Sequence, residues 1–169
     1  TKDDAAGEAF DKAGKMLGLP YPGGPEIDRR ATRGNPEAID FPRGMLKSGD
    51  YDFSFSGMKT AMSHRLASLG ESAGSEETID DLCASFQAAI VGVLVGKTMT
   101  AAFANNATVI TVSGGVSCNQ GLRSAFTRAA EDGGLELILA TPSLSTDNAA
   151  MIAYAAGCHL EHGIPPSPL

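Results

Sequence analysis

Residues Val109–Asn119 read Val-Ile-Thr-Val-Ser-Gly-Gly-Val-Ser-Cys-Asn. An apolar, β-branched run stops at Ser113-Gly114-Gly115, and helix-like sequence opens at Asn119. That order requires a strand, a tight glycine turn and a helix N-terminus within a dozen residues. Paired glycines remove side chains that would hold a bulky anion off the backbone. A following helix offers free N–H groups and the positive end of its dipole. The expectation is a cradle for a nucleotide or acyl-adenylate. The alternative is an ordinary strand-to-helix turn in which Asn119 only caps its helix. The turn is neither a Walker loop, since no Gly-Lys-Ser/Thr follows, nor a G-x-G-x-x-G dinucleotide loop.

The flanking text places this turn in an α/β layer. A long helix over 79–104 is expected to bury Leu82, Phe86, Ala89, Ile90, Val93 and Leu94. Strand 108–113, helix 119–131, strand 135–139, loop 140–146 and helix 147–161 follow, with a fraying tail from Gly163. Upstream, the spacing of Ala6, Phe10, Ala13 and Leu17 predicts an amphipathic helix, capped by Asp3 or Asp4 and ended by Gly18. Pro25 suits the first position of a short helix through Arg33. Tyr51–Ser56 alternates as a strand with Phe53 and Phe55 on one face, and Gly57–Leu69 reads as a helix. Gly70–Glu77 has linker composition, and Thr78 with Asp81 resembles a capping box opening the long helix. The expected division is a helix-and-strand segment over 1–77 and an α/β lobe over 78–169.

Composition limits the function. The net charge of −7 argues against a self-sufficient nucleic-acid surface, so an RNA substrate would need phosphate contacts from elsewhere. Three separated cysteines, Cys83, Cys118 and Cys158, suit a reducing cytoplasm and show no zinc-type pairing. The longest apolar run, Ala88–Gly96, is too short to suggest a membrane span, and use of the Asn106-Ala107-Thr108 sequon is not expected. Thr1 is no initiator, so the chain is expected to be a piece of a longer protein.

Other chemistry-bearing positions have plain alternatives. Thr146 or Asp147 could cap the last helix, or Asp147 could ligate a metal with an open coordination position. Asp11 faces Lys15 four residues on, the spacing of a solvated ion pair. Arg29, Arg30 and Arg33 form a small basic face that reads as solvated. His159 and His162 suit a helix C-terminus better than a metal site, and His64 stands apart.

Five motifs in order closely resemble the tRNA threonylcarbamoyladenosine synthase family, formerly named O-sialoglycoprotein endopeptidase. They are Asp4-Ala-Ala-Gly-Glu-Ala-Phe-Asp-Lys12, Tyr21-Pro-Gly-Gly-Pro25, Asp52-Phe-Ser-Phe-Ser-Gly-Met-Lys-Thr60, Ser113-Gly-Gly-Val-Ser-Cys-Asn119 and Thr146-Asp-Asn-Ala-Ala-Met-Ile-Ala-Tyr154. The resemblance implies an actin-like, Hsp70-like ATPase fold, of which this chain would be the C-terminal half, with the N-terminal lobe largely missing. It implies transfer of threonylcarbamoyl from threonylcarbamoyl-AMP to the adenosine beside the tRNA anticodon. Asp11, Gly24, Asp28 and Asn119 match the family's adenylate-binding residues, and Gly114 and Gly115 would let the backbone approach the ligand. Asp147 matches the aspartate that ligates one divalent metal, iron or zinc, and acts in catalysis through it. The partner ligands would come from an upstream H-x-x-x-H, absent from this sequence, so the chain alone is expected to be inactive. The implied partners are tRNA, an inactive paralogue and a P-loop ATPase, in the cytoplasm and away from membranes. A nucleotide-binding or partner-docking module without catalysis is the alternative. The old glycoprotease reading ranks low because no H-E-x-x-H is present.

Overall fold

In the computed structural model, residues 3–165 are described. They form α1 (Ala6–Met16), α2 (Gly23–Ala31), α3 (Ser56–Leu69), α4 (Glu76–Ala104), β1 (Val109–Val112), α5 (Gln120–Gly133), β2 (Glu136–Leu139) and α6 (Ala149–Glu161). Short 3-10 turns lie at Gly70–Gly74, Gly115–Cys118 and Pro142–Leu144. β1 and β2 pair in parallel, Val109 opposite Glu136 and Val112 opposite Leu139, with α5 as the crossover. This is the α/β class read from the alternating pattern.

α4 is the spine. Its N-terminal half carries Leu82, Cys83, Phe86, Ala89, Ile90 and Val93 into a core shared with Phe10 and Ala13 of α1, Ile27 of α2, and Met58 and Met62 of α3. Phe86 sits edge-on to Phe10 and Phe41, at ring-centroid distances of 6.0 and 5.4 Å. The C-terminal half gives Ala102 to a smaller core with Ile110, Leu122 and Phe126. The two cores therefore meet along α4. By length and composition α4 would also pass as a membrane span. Here protein side chains cover its apolar face.

Polar residues on α4 fasten the irregular segment 32–55. Asp81 accepts the N–H of Asn35 at 2.7 Å. Ser85 Oγ accepts from Ile39 N and donates to the Asn35 carbonyl. The Lys97 ammonium, only 4% exposed, donates to the Met45 carbonyl, Ser48 Oγ and Asp50 Oδ1 at 2.8–3.0 Å. The Ser48 hydroxyl and Lys97 hold the Asp50 carboxyl below its ordinary range.

Several local expectations are corrected. Tyr51–Ser56 forms no strand, because its backbone has no neighbouring strand to pair with. The Asp3 carboxylate takes the N–H groups of Phe55 and Ser56 and the Ser54 hydroxyl, so Asp3 anchors the start of α3 rather than capping α1. These bonds, Ser54 foremost, hold the Asp3 carboxyl below its usual value. Asp4 instead pairs with Lys12 at 2.7 Å. Phe53 and Phe55 do stack on one face, with ring planes 11° apart. The Gly70–Glu77 linker is mostly a 3-10 turn, and Ser75, not Thr78, caps α4 by accepting the Thr78 N–H at 3.1 Å. Asn148 caps α6, in place of Thr146 or Asp147, by accepting from Met151 N at 3.0 Å. α2 begins at Gly23, two residues before Pro25.

The solvated face expected of Arg29, Arg30 and Arg33 is corrected in part. Arg33 grips Asp80 through both its Nε and Nη2, and Arg30 Nη1 bonds both Asp80 and Glu76 at 2.8 Å. Arg29 is exposed and pairs with Glu26, and Arg33, though paired, also keeps its side chain 48% exposed, so Arg30 is the one drawn inward. Burial pushes the Asp80 carboxyl up, but the two guanidiniums outweigh it and leave it below the ordinary aspartate range. Arg30 is raised in turn. Burial pushes the Cys83 thiol up to about 12.

α6 is apolar yet buries no residue: Ile152 is 64% exposed, Tyr154 76% and Leu160 70%. His162 Nδ1 lies 2.8 Å from the Cys158 carbonyl, a helix-end contact. The expected fraying tail falls partly on residues 166–169, outside the described residues.

Candidate functional site

α1 and α2 meet almost backbone to backbone. A Cβ on Gly14 would come within 2.7 Å of Gly23 Cα, and one on Gly23 within 2.8 Å of the Phe10 carbonyl. Small residues therefore permit the approach that forms one wall of the site. Asp11 Oδ1 accepts the Gly23 N–H at 2.8 Å and so caps α2 from α1. Among the described residues it makes no ion pair with Lys15; Lys12 is the lysine of this helix that pairs, with Asp4 and Glu8.

The opposite wall is the glycine turn and the first turn of α5. Gly114 has φ +90°, a conformation that favours glycine. Ser117 is buried and its Oγ donates to Ser145 Oγ at 3.1 Å. Arg123 Nη1 donates to the carbonyls of Ser117 and Ala140. The turn and the loop leading to Asp147 are thereby locked together.

A cavity of about 780 Å³ lies between these walls, within the size range of small-ligand sites. Asp11, Gly24, Asp28, Gly115, Cys118, Asn119 and Thr146 all line it. Positions from the two ends of the chain thus converge on one space. Gly114 and Asp147 are exposed and lie outside its lining.

The α5 terminus differs from the expected phosphate cradle. Asp28 Oδ2 accepts the Gln120 N–H at 2.9 Å, and its Oδ1 lies 3.4 Å from Gly121 N. Asn119 Oδ1 accepts the Leu122 N–H at 2.8 Å, confirming the capping reading. A carboxylate and an amide from the protein already occupy this helix terminus, and the Asp28 charge would repel a phosphate there. The free backbone lies one step earlier. No side chain caps the 3-10 turn at Gly115–Cys118, and Gly114 and Gly115 are exposed.

The family model described as tRNA N6-adenosine threonylcarbamoyltransferase matches residues 1–154. The chain belongs to this family. Among proteins carrying the threonylcarbamoyltransferase name, it is 50% identical over 164 residues to one from Geobacter metallireducens, covering 97% of this chain and 48% of the relative. It is 52% identical over 163 residues to one from Geobacter sulfurreducens, covering 96% and 47%. With one from Chlorobium chlorochromatii it shares 50% over 175 residues, covering 98% and 49%. The chain spans about half the length of the curated relatives it matches.

The chain also carries residues at the candidate site that sequence reasoning missed. Gln87 of α4 is buried and accepts the Asn119 Nδ2–H at 2.6 Å. Its only signal was a polar residue beside the apolar run of α4. Ser117, Ser145 and Arg123 had no distinguishing signal, since their partners are set by the fold. Among the described residues, no group of three or more His, Cys, Asp or Glu is placed to hold a metal ion. Asp147 is a single exposed carboxylate at the end of its loop. By itself it does not make a metal site.

Proposed function

We propose that this chain supplies the adenylate-binding part of a tRNA N6-adenosine threonylcarbamoyltransferase with an actin-like, Hsp70-like fold. The carrying observation is the convergence of Asp11, Gly24, Asp28, Gly115 and Asn119 on one cavity of about 780 Å³. The reaction it would serve is acyl transfer from threonylcarbamoyl-AMP. The adenosine N6 amine attacks the threonylcarbamoyl carbonyl carbon, a C–N bond forms, the C–O bond to phosphate breaks, AMP leaves and the amine loses a proton. The mixed anhydride is already activated, so the protein's main task is to position its AMP half and stabilise departing charge.

The residues suit that task. Asp11 has one carboxylate oxygen not used by Gly23, and Asp28 keeps acceptor capacity beyond its two N–H contacts; both can receive ribose hydroxyls. Gly24 leaves that wall low. The Gly114–Gly115 backbone, rather than the occupied α5 terminus, is the place for phosphate oxygens.

Asp147 is the ligand this chain would contribute to an iron or zinc ion, which would supply Lewis-acid polarisation when bound. One carboxylate does not hold such an ion. The remaining length of the relatives would bring the other ligands and the second lobe, and with them the surface that tRNA needs beside a chain of net charge −7. In this reading the chain alone binds nucleotide without transferring. The test compares threonylcarbamoyl transfer to tRNA by this chain and by the full-length protein. Transfer is expected only from the full-length protein; none from either, with tRNA and threonylcarbamoyl-AMP supplied, contradicts the proposal.

A further inference from the structure

We infer that Gln87 is a positioning residue for the adenylate pocket, fixing the Asn119 amide so that one of its N–H groups is held ready for the ligand. The inference rests on the adenylate reading of the cavity. Asn119 lines that cavity but is only 8% exposed, and Gln87, which lies outside the lining, is equally buried. The Asn119 amide is held at two points: Oδ1 accepts from Leu122 N at 2.8 Å, and Nδ2 donates to Gln87 Oε1 at 2.6 Å. The capping bond alone leaves the amide free to swing about one axis. The second anchor fixes its plane, which leaves the other Nδ2–H as the group available to a ligand acceptor.

Gly121 provides the space for this arrangement. A Cβ there would lie 2.4 Å from Gln87 Nε2 and 3.3 Å from Asn119 Oδ1. The pair and the glycine form one unit: α4 contributes the anchor, α5 the missing side chain, and the residue between turn and helix the ligand contact. Removing the acceptor would leave a buried N–H unpaired and let the amide turn away to find another partner.

The experiment is calorimetric titration of the full-length protein with AMP, alongside thermal melting. Gln87→Leu removes the acceptor. Gly121→Ala displaces it without removing any polar group from the chain, and because the nearest colliding atom is the flexible end of Gln87 the fold tolerates it. Gln87→Glu keeps an acceptor oxygen in either protonation state. Gln87→Leu and Gly121→Ala are expected to weaken AMP about tenfold, with Gln87→Glu staying within about twofold of wild type. In an Asn119→Ala background, Gln87→Leu should cause no further loss. If Gln87→Leu fails to fold, Gly121→Ala decides. Wild-type affinity in the folded variants, even with a lowered melting temperature, makes Gln87 purely structural and overturns the inference while the adenylate reading stands. Absence of AMP binding by the wild type removes the adenylate reading itself.

Discussion

At the scale of single residues, the controlling groups are buried and half-buried carboxylates and amides that hold elements together by capping or clamping. Asp3, Asp11 and Asp28 each take N–H groups from a different element, so three helix starts depend on distant side chains. Asp80 is the most heavily paired. Asp80→Asn leaves Arg30, whose side chain is only 13% exposed, without its interior counter-charge. Its loss should lower unfolding free energy by about 3 kcal/mol in chemical denaturation, with Asp80→Glu recovering part of it. The pH dependence follows from the depressed carboxyls of Asp80 and Asp3. Their contribution is complete above the unfolded aspartate value near 3.8 and is lost as pH falls through the lower folded values. Acid unfolding should thus begin below about pH 4, and Asp80→Asn should flatten that limb of the stability profile.

At the scale of elements, the close approach of α1 and α2 sets one wall of the cavity. Gly14→Ala would drive a methyl into Gly23 Cα, backbone that cannot step aside. The expected cost is about 1–3 kcal/mol of stability in urea denaturation, because the helices must separate. Element order was readable because apolar periodicity and caps are local. α1, α4, β1, α5 and β2 lie close to their expected spans, and Asn119 caps as its residue type suggests. The misplaced features depend on distant partners. Tyr51–Ser56 alternates like a strand but has no strand to pair with, and Asp3 takes its N–H groups from about fifty residues away. The free α5 terminus was a sound local inference, yet Asp28 arrives from α2 to fill it. Asp11, Gly24, Asp28, Gly115 and Asn119 could be singled out from motif resemblance; that they line one cavity, with Gly114 and Asp147 outside it, required the fold, as did the contact of Gln87 with Asn119.

At the scale of the whole molecule, two cores share α4, and the candidate site lies where α1 and α2 face the glycine turn and α5. The exposed apolar face of α6 and the half-length match to relatives fit the proposed function, in which this chain would supply the pocket for the AMP half and further polypeptide the remainder of the reaction. The most direct measurement is AMP affinity of the full-length protein carrying Asn119→Ala or Asp147→Ala. Asn119 lines the cavity and Asp147 does not. Asn119→Ala should weaken AMP about tenfold or more, while Asp147→Ala keeps wild-type affinity and loses transfer. Equal affinity in wild type and Asn119→Ala would contradict the account.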